Sequence, residues 1–356
     1  MAKKIRVKDV AKLAGVSPGT VDRVLHNRGN ISTKSKEAVE SALQKLKYRP
    51  NIYISSLSLK KHYKLVVTIP QVVKGEYWED MQNGIMRAIH DYDNVDIECE
   101  FCYYDQFDLF SCRETFEKVV KIAPNAVIMG TTFRDETMHT VNILEDNNIP
   151  YIFVDSPVEG TSPVAFFASD PYKCGYLICK LIHNITPSDS EFAIFQSVRI
   201  GDSSANTTVL RKQGFMAYCQ EYNLTRRIHR VSFSVTEPKQ NESLIGDFFR
   251  KNPNVHGAIV LSSRGSVIAN YFEEQKISDV KLICIDVTDS NRKAVQAGII
   301  DFVIGQRPQQ QGYMAVRAMV QHLTYNNLIQ KENYMPIDIL TRENIDMYSE
   351  FNVMMM

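Results

Sequence analysis

The sequence predicts an α/β protein with two lobes, each a doubly wound parallel sheet with helices on both faces, preceded by a small all-α headpiece. Its 356 residues exceed the roughly 250 to 300 at which a single hydrophobic core stops growing. Continuously apolar runs alternate with amphipathic segments over most of the chain, which is typical of parallel sheets buried on both faces. The first 64 residues differ, because their pattern is helical and strongly basic.

Charge divides the chain into two parts, although its net charge is zero. Residues 1–64 contain 15 lysines and arginines against four acids, a balance of +11. The remaining residues carry 26 basic and 37 acidic side chains, a balance of −11. Such asymmetry indicates a module that binds a polyanion, attached to a body that nucleic acid does not attract.

Three short helices are predicted in the basic segment. Apolar residues at three- and four-residue intervals give a first helix over 7–14, and Gly15 ends it. A second helix starts with Ser17 as N-cap and Pro18 in the first turn, and Ser32 caps a third. Two helices joined by a tight turn and braced by a third are the layout of a helix-turn-helix, whose second helix enters the major groove of DNA. A small helical bundle that binds nothing is the alternative.

The stretch "VKDVAKLAGVSPGTVDRVL", followed by "YRPN", resembles the DNA-binding headpiece of the LacI family of bacterial transcription regulators. The resemblance implies a headpiece over 1–50, a hinge helix or linker over 51–63 and a body over 64–356. It also implies that Leu57 enters the minor groove, where an apolar side chain unstacks a base step and bends the duplex. The other residues that it places near base edges and phosphates are Ser17, Pro18, Gly19, Thr20, Asp22, Arg23 and His26.

Two features of the second helix depart from the family pattern. Pro18 and Gly19 have almost no side chain for hydrogen bonding, so base reading shifts to Arg23, to its neighbours or to DNA shape. Asp22 stands where the family usually has serine. It can accept from a cytosine N4 amine, orient Arg23, or be a surface acid, and these three roles stay open.

The body is predicted to contain ten strands, which suit two sheets of about five better than a single sheet of ten, given typical sheet sizes. The predicted strands are 64–70, 96–104, 125–132, 150–156, 164–170, 191–197, 229–235, 257–263, 281–287 and 301–306. Helices between them include 76–93, 134–147, 171–185, 207–222 and 308–325. In two such lobes the carboxyl ends of the strands face a shared crevice, where ligands bind.

The LacI-family body is such a pair of lobes and is similar to type I periplasmic sugar-binding proteins, so the resemblance covers nearly the whole chain. It implies an N-lobe over about 64–168 plus 305–330, and a C-lobe over about 169–304 plus 331–350. It places seven residues around an effector in the crevice, namely Tyr77, Trp78, Asp155, Arg211, Ser262, Asp286 and Gln306.

Carboxylates, an arginine and an amide around an aromatic plate suit a neutral polyhydroxylated ring. Hydroxyls pair with the acceptors, the arginine donates, and the C–H face of the ring stacks on indole. Other roles stay open: the two aspartates can cap helices, Arg211 can form a surface ion pair, and Trp78 can belong to the core. Ser262 replaces the usual Asn or Asp and weakens one polar contact, and purine ligands would use the same arginine and aromatics.

These patterns predict a DNA-binding transcription regulator, a repressor, that is controlled by a small-molecule effector. It acts as a homodimer on a near-palindromic operator. The alternatives are a purine or nucleoside effector, or a DNA-binding protein with a vestigial ligand site. An enzyme is disfavoured, because the chain has no phosphate-binding loop, H-E-x-x-H or G-x-S-x-G motif. We expect no cofactor, metal or catalytic residue. The lack of a signal core or membrane-length apolar run, and an odd number of cysteines, indicate the cytoplasm.

Overall fold

The computed structural model describes residues 7–25, 31–46, 61–93, 95–201, 205–224, 228–235, 238–325 and 328–348. The chain divides into two compact units, Met1–Lys61 and His62–Met356. The predicted border between linker and body at 63/64 lies within a few residues of this division.

The first unit contains helices α1 (Val7–Ala14), α2 (Pro18–Leu25) and α3 (Thr33–Lys45). Its core is small and consists of fully buried apolar residues from all three helices, with Val10, Val21 and Val39 completely buried. Gly15 adopts a φ of +66°, which L-residues rarely take, and so allows α2 to follow α1 at once. The Ser17 Oγ accepts a hydrogen bond from the Thr20 N–H at 3.1 Å and caps α2. The predicted three-helix layout is confirmed.

Strands and helices alternate through the described part of the second unit. In chain order they are β1 (Tyr63–Pro70), α4 (Tyr77–Asp91), β2 (Ile97–Tyr104), α5 (Leu109–Ile122), β3 (Ala126–Gly130), α6 (Arg134–Asp146), β4 (Tyr151–Val154), β5 (Ala165–Ala168), α7 (Pro171–Ile185), β6 (Glu191–Ser197), α8 (Asn206–Glu221), β7 (Ile228–Phe233), α9 (Pro238–Lys251), β8 (Val255–Val260), α10 (Gly265–Gln275), β9 (Lys281–Ile285), α11 (Asp289–Gln296), β10 (Phe302–Gly305), α12 (Pro308–Tyr325), β11 (Glu332–Tyr334) and β12 (Asp338–Leu340), before a short 3-10 helix (Ile345–Met347).

The strands form two sheets, one in each lobe. The N-lobe sheet has the order β11-β5-β4-β3-β1-β2 and is parallel throughout. The C-lobe sheet has the order β12-β10-β9-β8-β6-β7, with only β12 antiparallel among the described pairs. Both faces are covered, because neighbours such as Leu65 and Val66 on β1 belong to cores on opposite sides of the sheet. The predicted α/β class with two sheets is confirmed.

Two details of the predicted architecture are wrong. Each sheet has six strands rather than about five, because β11 and β12 have only three residues each and are too short to show a periodic pattern. Moreover, β11 pairs with β5, so Glu332–Tyr334 lies in the N-lobe, although the segment 331–350 was assigned to the C-lobe. The chain therefore crosses between the lobes three times in the described residues, at 169–170, 306–307 and 335–337.

One pair of helices in each lobe makes backbone contact at glycines. A Cβ added to Gly84 of α4 would lie 1.9 Å from the Gln309 carbonyl oxygen of α12, and one added to Gly312 would lie 2.3 Å from that of Met81. In the C-lobe, Gly175 of α7 faces the backbone of α8 in the same way. Only glycine permits this approach, so α4 is fixed against α12 and α7 against α8.

None of the described helices combines the length and the apolar run that a membrane crossing requires.

Candidate functional site

A cleft that is partly open to solvent lies between the two lobes at the carboxyl ends of their strands. Six of the seven residues predicted to contact an effector line it: Tyr77, Trp78, Asp155, Arg211, Ser262 and Asp286. The seventh, Gln306, is fully buried behind the wall and hydrogen-bonds to two of the six. The structure thus brings all seven together from distant parts of the chain.

The aromatic wall comes from the first turn of α4. The Tyr77 and Trp78 rings meet edge to face, with their centroids 5.0 Å apart and their planes at 86°. Trp78 is 6% exposed and packs against Gly130, where a Cβ would lie 3.0 Å from the indole ring. Trp78 therefore belongs to the N-lobe core and lines the cleft as well, so the two roles considered for it do not exclude each other.

A buried polar network links the C-lobe residues. Gln306 donates through Nε2 to Asp286 Oδ1 at 2.6 Å and accepts from an Arg211 guanidinium nitrogen at 2.9 Å. The other terminal nitrogen of Arg211 donates to the Leu261 carbonyl at 3.0 Å. Arg211 is only 3% exposed, so it does not form the surface ion pair that was the alternative.

Gln311 extends this network to the other lobe. Its amide oxygen accepts from the Asp155 N–H at 3.1 Å, and its amide nitrogen donates to the Gln306 carbonyl at 2.8 Å. Gln311 lies on α12, completely buried, one turn after the second crossover. Sequence reasoning missed this residue, which connects the end of β4 in the N-lobe to the end of β10 in the C-lobe.

The two aspartates occupy equivalent places in the two lobes. Asp155 follows β4 with a φ of +78°, and Asp286 follows β9 with a φ of +71°. Non-glycine residues seldom take this conformation, which costs about 1–3 kcal/mol and is concentrated at functional sites. Asp286 does not cap α11, because the Thr288 side chain accepts from the Asn291 N–H instead.

Burial shifts the protonation of these groups. It raises the pKa of Asp286 to about 7, against the opposing effects of the Arg211 charge and the Gln306 hydrogen bond. Burial also raises the pKa of Asp155 and, well above its ordinary value, that of Tyr77. The Tyr77 hydroxyl makes no hydrogen bond of standard geometry to a described residue, although it lies close enough to Asp155 to lower the pKa of that carboxyl.

Contacts around the cleft hold the lobes together. An Arg264 terminal nitrogen lies 3.0 Å from Glu76 Oε1, and the Asp289 N–H donates to the Gly75 carbonyl at 2.9 Å. The Asn206 N–H donates to the Thr132 carbonyl at 3.2 Å. Because each pair joins the N-lobe to the C-lobe, the structure corresponds to a closed arrangement.

Several further residues line the cleft that the sequence did not single out. They include Gln106, Phe107, Thr132, Gln196, Ser197, Arg199, Thr207, Thr208, Ser263 and Arg264. Most follow a strand directly or begin the next helix, so the rule that found Asp155 and Asp286 also points to them. No group of three or more His, Cys, Asp or Glu within the described ranges is placed to hold a metal ion.

Five of the predicted DNA-contacting residues, namely Ser17, Pro18, Gly19, Thr20 and Arg23, have described side chains, and they lie at the start and on the outer side of α2. Ser17, Pro18, Gly19 and Arg23 are exposed and Thr20 is half-buried, whereas Val21 packs into the core. Asp22 lies on the same helix. The Asp22 side chain, His26 and Leu57 fall outside the described residues, so their predicted roles stay predictions.

Comparison with known proteins agrees with this two-part organisation. Residues 66–327 match the family model described as a periplasmic binding protein domain. Residues 6–51 match the model described as bacterial regulatory proteins, lacI family. The chain belongs to the lacI family. The resemblance drawn from the headpiece and the two-lobed body is thereby confirmed.

Individual lacI-family relatives are distant. A sucrose operon repressor from Pediococcus pentosaceus is 27% identical over 235 residues, which are 65% of this chain and 66% of the repressor. The HTH-type transcriptional regulator DegA from Bacillus subtilis is 25% identical over 221 residues, 61% of each chain. The matched region thus spans slightly less than two thirds of either relative.

Among solved structures, a candidate LacI transcriptional regulator from Bacteroides fragilis has a TM-score of 0.77 and 30% identity, covering 81% of this chain and 100% of its own. GanP, a glucose-galactose binding protein from Geobacillus stearothermophilus, has a TM-score of 0.70 and 20% identity, covering 80% of this chain and 99% of its own. The second similarity shows the fold alone.

Proposed function

We propose that this lacI-family protein is a sequence-specific DNA-binding transcription regulator, a repressor, whose operator affinity is set by a sugar or sugar derivative in the cleft. The buried network of Arg211, Gln306 and Asp286 beside the Tyr77 and Trp78 rings carries this proposal. Buried polar side chains of this kind are costly unless they are satisfied, so their concentration at one cleft favours a ligand role. Donors and acceptors around aromatic faces suit ring hydroxyls.

The DNA-binding part of the proposal is supported by α2 and by charge. The outer side of α2 carries small residues and Arg23, which allows close approach to a groove, and the first 64 residues have a balance of +11. We propose that two copies place their headpieces on the half-sites of a near-palindromic operator in the cytoplasm. Arg23 then reads a base edge, while other basic residues bind phosphates.

Control by the ligand follows from the closed cleft. A ligand that contacts both lobes favours closure of the cleft. We propose that closure changes how the two predicted linkers, residues 51–63 of each copy, meet at the operator. A differential binding energy of about 1–3 kcal/mol changes operator affinity by roughly 5- to 150-fold. Because linkage is reciprocal, operator DNA must change ligand affinity by the same factor.

The test uses the full chain in two steps. Selection from a random duplex library identifies the operator, and a thermal-shift panel of monosaccharides, sugar acids, inositols and nucleosides identifies the ligand class. Arg211→Ala and Asp286→Ala should abolish the ligand shift and leave operator affinity within about twofold of wild type. Arg250→Ala, which removes an exposed arginine of α9, is the matched control.

Each outcome has a clear meaning. No preference for any duplex over random DNA overturns the regulator proposal. A normal ligand shift in both cleft variants overturns the placement of the ligand. Stabilisation by nucleosides alone replaces the sugar by a purine-type effector, and operator binding with no response to any compound indicates a vestigial ligand site.

A further inference from the structure

The two ends of the cleft differ chemically because of the strand order. The crossovers between the lobes begin or end at β5, β10, β11 and β12. These strands lie at the same side of both sheets, and we call this side of the cleft the hinge end. Asp155 and Asp286 follow β4 and β9 and line the cleft toward the hinge end, and Gln306, which follows β10, is buried behind them. Arg199 follows β6 and Arg264 follows β8, so they lie toward the opposite, outer end.

Two arginines and two aromatic rings meet at the outer end, together with the acidic side chain of Glu76. The Arg199 guanidinium carbon lies 4.2 Å from the Phe133 ring centroid, and that of Arg264 lies 5.6 Å from the Phe107 ring centroid. Both arginines thus extend from the C-lobe to rings of the N-lobe. Arg264 also pairs with Glu76, and its Nε is buried without a hydrogen-bond acceptor among the described residues.

The helices that begin at the cleft are capped in different ways. Side chains of Asp108, Asp170 and Thr288 cap α5, α7 and α11. At the start of α8 the Asn206 N–H donates to the Thr132 carbonyl at 3.2 Å, and at the start of α10 the Ser266 N–H donates to Asn291 Oδ1 at 2.8 Å. First-turn N–H groups of both helices are therefore already used in hydrogen bonds within the protein.

One deeply buried side chain independently indicates a ligand. Arg211 is 3% exposed, and its Nε has no acceptor in the described part of the chain. The Tyr77 hydroxyl, by contrast, already lies close to Asp155. Buried polar atoms are nearly always paired, so the Arg211 Nε is explained by an acceptor that a ligand supplies.

Resting on the proposed function, we infer that the ligand is a monosaccharide derivative with one anionic substituent: a carboxylate, phosphate or sulfate. Its hydroxyls lie at the hinge end, where they form hydrogen bonds with Asp155 and Asp286. Its anionic group lies at the outer end, held by Arg264 and Arg199. Arginine guanidinium groups bind such anions with charge-assisted hydrogen bonds.

The test is calorimetric titration of the full chain with matched pairs of probes. Glucuronate is compared with glucose and galacturonate with galactose, and glucose 6-phosphate and glucose 6-sulfate distinguish the anion type. We expect the anionic member to bind at least about tenfold more tightly. Arg264→Gln should bring this ratio close to one. Arg199→Gln is a second variant with the same expectation, and Arg250→Gln is the matched control.

Glu76→Gln distinguishes two roles of Arg264, namely binding the anion and joining the two lobes. If Arg264 binds the anion, removing its competitor Glu76 keeps or increases the preference for the anionic probe. If Arg264 acts only by joining the lobes, Glu76→Gln weakens both probes as much as Arg264→Gln does, and the inference is overturned.

The remaining outcomes are also decisive. If neutral and anionic probes bind equally and binding depends on Arg211, the inference of an anionic ligand is overturned. The proposed sugar-controlled regulator is then still supported. Failure of every anionic probe to bind counts against the inference in the same way. If no compound of the wider panel binds either, the effector function itself fails.

Discussion

Asp286 should make the stability of the protein depend on pH in a way that one substitution removes. Burial raises its pKa from 3.8 to about 7 in the folded chain. The folded state therefore binds this proton more tightly than the unfolded state does. The stabilisation is fully present below about pH 4 and is lost as the pH rises through about 7.

The magnitude follows from the pKa difference. A difference of about three units corresponds to about 4 kcal/mol, at about 1.36 kcal/mol for each unit. Asp286→Asn keeps the oxygen that accepts from Gln306 at 2.6 Å but carries no charge at any pH. At pH 8 the variant should be more stable than wild type by up to about 4 kcal/mol, and near pH 4 the two should be nearly equal.

Thermal melting of the full chain measures this effect. The pH dependence that comes from the other titratable groups is the same in variant and wild type, so it cancels in the difference between their Tm values. The difference should grow from about pH 4 to about pH 7 and then level off at about 8 °C, given roughly 2 °C for each kcal/mol in a domain of this size. Asp146→Asn, at an exposed position on α6, is the control and should show no such trend. A Tm difference that stays flat over this range would refute the assignment of a buried, protonatable carboxyl to Asp286.

Two further substitutions test the packing of α7 against α8 and the predicted DNA-contacting helix α2. Gly175→Ala places a Cβ 1.7 Å from the Arg211 carbonyl oxygen, so α7 and α8 must separate and the free energy of unfolding should fall by about 3 kcal/mol or more in chemical denaturation. Gly246→Ala, which meets only the movable Tyr271 hydroxyl at 2.8 Å, is the control, and equal losses would contradict the backbone contact. Arg23→Ala should relax base preference by about 1–3 kcal/mol at one position in each half-site, measured by competition binding; a uniform loss on all sequences would make Arg23 a phosphate contact.

The sequence predicted much of the fold because most elements are long and regular. Strands such as β1 and helices such as α12 bury enough apolar residues to leave a clear period, and their ends fall near the predicted ones. The two three-residue strands escaped, since three residues show no period. The lobe assignment of β11 depended on pairing with β5, which lies more than 160 residues earlier.

The candidate site could be located but not described in full. Strand ends identified Asp155 and Asp286, whereas their positive φ values depend on the surrounding packing and have no signature in an aspartate. Gln311 looked like an ordinary helix residue, because its role arises only where three segments from two lobes meet. The positions of Arg199 and Arg264 over N-lobe rings likewise exist only once the lobes come together.

Because of the glycine contacts between helices, the motion of the lobes and the binding of the ligand depend on different residues. Because α4 and α8 are fixed by their partner helices, the aromatic wall and Arg211 each travel with a whole lobe, and motion must be taken up at the three crossovers. Side chains at the strand ends can then change without disturbing the parts that move. A lineage could thus acquire a new signal molecule by a few exchanges at the cleft and keep its response to that signal.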